Sequence, residues 1–245
     1  VKLLALTLAI VTVLAGPAAA APMPTAHRGT HTTCGYTENT YRAIRRCAAA
    51  AEAVEVDMRL SSDGRPVFIH DATLDRTTRA TGPVANRTFK QLRSIVTEDG
   101  VGRIPSTAVI RNIIADTDQL VFIDVKVYPR ARGWDILEQL PRSNVLFFSA
   151  RNNDYIRAAE GHGYRAAHFT WPDEPAPTVA EVRKYGDVVW RSAMTNTQAA
   201  RYRDAGIARV GGGNTVTEWE RLASQGAWAT ATDRLPAYLM WLYPG

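Results

Sequence analysis

Ala53-Val54-Glu55-Val56-Asp57-Met58-Arg59-Leu60 alternates its side chains with the period of two that an extended strand imposes. Glu55 and Asp57 share one face, while Val54 and Val56 take the other and offer an apolar surface for a helix to cover. Leu120–Val127 repeats the arrangement, with Asp124 beside Lys126 and with Ile123 and Val125 opposite. Further strand-like runs lie on either side: Thr25–Gly29, Pro66–His70, Val145–Ser149, Arg165–Thr170, Asp187–Trp190, Ile207–Gly211 and Trp228–Thr232. Helical patterns fill the gaps at Asn39–Ala51, Thr107–Ala115, Trp134–Leu140, Val179–Tyr185, Thr197–Ala205 and Thr217–Ser224; the first carries Tyr41, Ile44 and Cys47 on one stripe. This βα alternation predicts an α/β fold, a single-domain TIM (β/α)8 barrel, with one of the nine strand candidates left over. An open doubly wound sheet is the other architecture compatible with the alternation. It lacks support, because neither G-x-G-x-x-G nor a P-loop motif is present, and Gly211-Gly212-Gly213-Asn214 reads as a turn.

The 245 residues are 46% hydrophobic and 22% charged, an ordinary globular composition. Lys and Arg number 29 against 24 Asp and Glu, a net +5 spread without basic runs. That argues against a nucleic-acid partner and suits a phosphate-bearing substrate. Lys2 precedes the apolar run Leu3–Leu14, which is shorter than the roughly 20 residues a bilayer-spanning helix needs. Small residues follow at Ala18–Ala21, so residues 1–21 read as a secretory signal peptide and 22–245 as the folded domain of a secreted protein, extracellular or in the cell envelope. In an oxidising compartment Cys34 and Cys47 are expected to pair. Tyr238, Leu239, Trp241, Leu242 and Tyr243 read as core at helical spacing, with a transient membrane-surface contact and the oligomeric state left open.

Polar residues gather at the ends of the strand-like runs, where α/β folds place their ligands: His27-Arg28, Glu55 and Asp57, His70-Asp71, Asp124 and Lys126. Carboxylates crowded inside a barrel need compensation. Either a hard divalent ion, Mg2+ or Ca2+, or pairing with Lys126 and nearby Arg residues supplies it. Two strand-end histidines offer one group to accept a proton and one to donate it, as ester hydrolysis requires. His31, His162 and His168 lack such company and read as surface or core residues.

In order along the chain, His27-Arg28-Gly29, Glu38-Asn39-Thr40, Glu55-Val56-Asp57, Asp63-Gly64, Pro66-Val67, His70-Asp71, Leu74-Asp75-Arg76-Thr77-Thr78, Gly82, Ile104-Pro105, Asp124-Val125-Lys126 and Thr232-Asp233-Arg234 resemble the glycerophosphodiester phosphodiesterase family. The resemblance implies a TIM barrel that hydrolyses small-molecule or lipid-headgroup phosphodiesters with one divalent cation. It also implies His27 and His70 as catalytic, Glu55, Asp57 and Asp124 as metal ligands, and Arg28 and Lys126 as phosphate-binding. Two departures stand out. Asp124 replaces the family's usual Glu, and Val210-Gly211-Gly212-Gly213-Asn214 replaces a Trp-containing run, so the aromatic wall of the site is expected to be missing. The Asp favours, as an alternative, a phospholipase D-type barrel similar to the sphingomyelinase D enzymes and acting on lysophospholipids or sphingolipids. The two departures together favour a non-catalytic barrel that binds phosphate or a headgroup.

Overall fold

The computed structural model describes residues 21–29 and 34–244. The signal-peptide reading at 1–21 lies outside the described residues except for its last residue, and His31 also lies outside them. Nine strands are described: β1 Met23–Ala26, β2 Ala53–Leu60, β3 Pro66–Phe68, β4 Leu120–Val125, β5 Val145–Phe148, β6 Arg165–Phe169, β7 Val188–Trp190, β8 Ala208–Gly212 and β9 Ala229–Thr232. Eight of them pair in parallel and the ring closes through β1 against β2, giving the expected barrel. The ninth candidate is β3. It folds back antiparallel on β2, with Met58 opposite Phe68 and Leu60 opposite Pro66, and stays outside the ring. The turn needs Asp63-Gly64, where Gly64 takes φ of 73°.

Alternation along the strands sorts side chains into two cores. Val54, Val56, Ile123 and Val125 face outward and pack with Ile110 and Ile113 of α2 (Thr107–Thr117) and with Trp134 and Leu137 of α3 (Arg130–Leu137). Phe122, Leu146, Phe148, Val188, Trp190 and Val210 face inward and fill the barrel. Below the mouth the barrel is therefore a packed core.

The helices α1 (Phe89–Ser94), α4 (Val179–Val182), α5 (Asn196–Asp204) and α6 (Val216–Ser224) each begin with a capping box, Thr88 with Gln91, Thr178 with Glu181, Thr195 with Gln198 and Thr215 with Glu218. The last helix, α7, spans Leu235–Leu242. Its Tyr238 is fully buried against Trp219, as the helical spacing predicted, whereas Tyr243 is exposed. The expected helix at 39–51 shrinks to a helical stretch at 41–47 that is π-type over Ala43–Cys47, and Tyr41 is exposed. Asn39 prevents an earlier start: it sits at φ of 60° and spends its side chain on Asp57. The Gly211 to Gly213 segment is also no plain turn, because Gly211 and Gly212 end β8. A Cβ at 211 would stand 2.4 Å from Leu222 and one at 213 would stand 2.8 Å from Glu218, so the missing side chains let α6 close on the barrel.

Candidate active site

His27, Arg28, Glu55, Asp57, His70, Asp124 and Lys126 line one cavity of about 660 Å3. All of them lie at or near the C-terminal ends of barrel strands, except His70, which arrives on the hairpin of β3. The hairpin delivers it accurately: Ile69 N–H donates to Asp57 O at 2.9 Å, and Arg59 Nε donates to His70 O at 2.9 Å. After β1 the chain turns sharply, with Arg28 at φ of 50° and Gly29 at 75°. The turn points the Arg28 amide at Glu55 Oε2, 3.1 Å away. A non-glycine residue in this region is uncommon, and here the surrounding hydrogen bonds hold it.

Glu55, Asp57 and Asp124 are buried, and each offers an oxygen within 4.8 Å of the others. Burial and the neighbouring Asp57 charge push Glu55 up to about 8. Asp124 is raised by burial against the pull of Lys126. Asp57 is also penalised by burial, but Lys126 and Arg28 outweigh that and hold it below the usual carboxylate range. Lys126 Nζ reaches Asp57 Oδ1 at 3.0 Å and bonds to Asp124 Oδ2. Asn39 Nδ2 donates to Asp57 Oδ2 at 2.9 Å, and Ala150 N–H donates to Asp124 Oδ1 at 3.1 Å. Of the two compensations expected from sequence, pairing with Lys126 is present and neutralises part of the cluster, while Glu55 keeps a raised pKa and Glu55, Asp57 and Asp124 together could hold a cation. An all-oxygen cluster with uncompensated carboxylate character fits a hard divalent cation.

Each histidine has its Nδ1 held by a carboxylate. His27 Nδ1 lies 2.7 Å from Asp233 Oδ1, and His70 Nδ1 lies 2.7 Å from Asp71 Oδ1. Burial works to lower the His27 pKa, but Asp233 and Glu55 reverse this and raise it. Asp233 is itself fixed by Asn214, whose Nδ2 donates to Asp233 Oδ2 at 3.0 Å. Asn214 in turn gives its amide to Glu218 Oε2 at 2.8 Å, so the capping box of α6 helps set the His27 orientation. On the other side Arg76 bridges Asp71 and Glu38, donating through Nε to Asp71 Oδ2 at 2.7 Å and through Nη2 to Glu38 Oε1 at 2.6 Å. A carboxylate at Nδ1 favours the tautomer with its proton there, which leaves Nε2 able to exchange one; His27 Nε2 lies 3.7 Å from Glu55 Oε2.

The aromatic wall is present, contrary to expectation, and comes from other strands. Phe148, Phe169, Trp171 and Trp190 line the cavity opposite the charged groups. Phe148 stacks on Trp190 with centroids 4.0 Å apart, and Trp171 meets Phe169 edge-on at 4.9 Å. Their inward positions at three successive strand ends were the available signal. Asp233 and Asn214 had a weaker one, because nothing local links them to His27. Cys34 and Cys47 are paired with Cα atoms 5.9 Å apart. His162 pairs with Glu138 and stacks on Trp134, and His168 packs on Tyr185; both lie away from the cavity.

The sequence pattern of the Glycerophosphoryl diester phosphodiesterase family matches residues 27–132. A glycerophosphodiester phosphodiesterase of Bacillus altitudinis is 31% identical over 192 residues, covering 75% of this chain and 77% of its own. Glycerophosphodiester phosphodiesterase 1 of Bos taurus is 48% identical over 59 residues, 24% of this chain; the chain spans 18% of the length of that relative. Among solved structures, an Oleispira antarctica phosphodiesterase in complex with the product sn-glycerol-3-phosphate superposes with a TM-score of 0.79 at 20% identity, covering 91% of this chain and 97% of the other.

Proposed function

The chain belongs to the glycerophosphoryl diester phosphodiesterase family, and on that premise we propose that it hydrolyses glycerophosphodiesters to an alcohol and glycerol 3-phosphate with one divalent cation, Mg2+ or Ca2+. The observation that carries this reading is the meeting, in one cavity, of two carboxylate-anchored histidines with three clustered carboxylates and two cationic side chains. A cation held by Glu55, Asp57 and Asp124 would supply Lewis-acid polarisation of the phosphoryl group. Arg28 and Lys126 bind and orient the phosphate and offset its charge. One of His27 and His70 takes the proton of the nucleophile, either water or a neighbouring substrate hydroxyl, and the other protonates the leaving alkoxide through its Nε2. Asp233 and Asp71 keep the two rings in register for that exchange.

The test is hydrolysis of glycerophosphocholine by the protein from Pro22 onward, with Mg2+, with Ca2+ and with chelator. Chelator-sensitive release of glycerol 3-phosphate is the expected result. The aromatic wall favours a second reading, turnover of lysophospholipids, which a parallel assay separates. Tight headgroup binding without turnover of either substrate would instead make the barrel a binding protein. The proposal includes export, on the strength of the leader-like residues 1–21 and the paired cysteines. Amino-terminal sequencing of the protein from culture medium tests it.

A further inference from the structure

Trp171 stands at the cavity mouth with half of its surface exposed, on a loop with no regular structure of its own. A bulky aromatic side chain held in the open needs something to hold it. Arg191, the residue after Trp190 on β7, points away from the barrel interior by strand alternation and is only 5% exposed. Both terminal nitrogens of its guanidinium are spent on this loop, while Nε has no hydrogen-bond partner among the described residues. Nη1 donates to Thr170 Oγ1 at 2.7 Å and to Trp171 O, and Nη2 donates to Pro172 O at 2.9 Å and Glu174 O at 2.8 Å. All these partners are neutral oxygens of one short segment. With Nε already unpaired, these bonds are what offsets the burial of the guanidinium, so opening the loop would strand a charge. Glu174 closes the same turn from outside, its Oε2 accepting from Trp171 N–H at 2.9 Å.

We propose that Arg191 is a positioning residue that buckles the Thr170–Glu174 loop, fixes Trp171 over the cavity, and so selects diesters whose alcohol carries a flat or apolar group. The inference rests on the proposed phosphodiesterase activity. Trp190 and Arg191 are adjacent and face opposite ways, so one strand both supplies a ring to the wall and holds the next ring in place. The charged wall, with His27, Arg28, His70 and Lys126, lies across the cavity and takes the phosphate whichever alcohol is attached.

The experiment compares the p-nitrophenyl ester of glycerol 3-phosphate with glycerophosphoethanolamine, two diesters that differ only in the alcohol. Arg191→Met is expected to raise KM for the aryl ester by about tenfold, the scale of one lost ring contact, with kcat within about twofold. Kinetics on the ethanolamine ester should stay unchanged. Glu174→Ala, an exposed change that leaves the core intact, should shift KM the same way by a smaller factor. In both variants amide exchange at 170–174 should accelerate. In a double variant with Trp171→Ala, Arg191→Met should add nothing to the KM of Trp171→Ala alone. An unchanged KM for the aryl ester in folded variants, or equal losses on both esters, would overturn the inference and leave the activity standing. A wild type inert on both esters would overturn the proposed activity and this inference with it.

Discussion

At the scale of single residues, the site depends on side chains that hold other side chains. His27→Ala and His70→Ala should each lower turnover of glycerophosphocholine by about 10²–10⁴ while circular dichroism and Tm stay near wild type, because neither ring is packed in a core. Lys126 has a different kind of importance. It is buried between Asp57 and Asp124, so Lys126→Met leaves two carboxylates facing each other without their cation. Removing one partner of a buried pair costs about 3 kcal/mol, and denaturation in chelator should show a loss of that order. Added Mg2+ or Ca2+ should restore part of it, since a ligand that binds only the folded state stabilises it.

At the scale of elements, strands were more legible than helices. Ala53–Leu60 runs as expected to the residue, because a strand buried on both faces leaves an unbroken pattern. Glu55, Asp57, Asp124 and Lys126 followed from that same alternation. Which of the nine strand candidates stands outside the ring was not legible, because composition reports an extended chain at Pro66–His70 and not its direction; only the three-dimensional pairing shows that Pro66–Phe68 runs back on β2. The aromatic wall and the Asp233–Asn214 support were harder to read, since their partners are distant in sequence and no spacing joins them. Loops hold a further case. Asp99 Oδ2 accepts from Thr37 N–H at 2.9 Å, and its Oδ1 accepts from Thr97 Oγ1 at 2.6 Å and from the Val101 and Gly102 amides. Burial opposes ionisation there, but these donors outweigh it and bring the carboxyl down to about 2 from an ordinary 3.8. A depressed folded value means that the stabilisation is complete above about pH 4 and lost as pH falls through about 2. Asp99→Asn should therefore lower stability at pH 7 and flatten the decline between pH 4 and 2 in urea titrations.

At the scale of the whole molecule, the barrel divides along its axis into an apolar lower half and a charged mouth. Phe122 sits at the centre of the lower half, about 1% exposed, with its ring against Trp190 and Trp228. Phe122→Ala should destabilise the protein by about 3–5 kcal/mol, seen as a lower urea midpoint at unchanged slope. Because Trp190 belongs to both the core and the cavity wall, the same substitution should also weaken binding of aryl diesters.

The route by which His70 reaches the mouth has a thermodynamic consequence. The ring is a continuous ladder, and breaking it anywhere means losing the fold. The β3 arm pairs with one barrel strand only, through the short register of Met58–Leu60 against Pro66–Phe68 and the Ile69 and His70 fastenings, and its other edge is held by Phe68 N–H on Pro105 O and a single bridge from Val67 to Ser106. Detaching the arm is a smaller opening than unravelling the ring, so it belongs to the fluctuations that occur below global unfolding. Each such excursion carries away His70, the proposed proton-transfer group, while Glu55, Asp57 and Asp124 stay assembled. On warming, turnover should accordingly fade at a lower temperature than divalent-ion binding does.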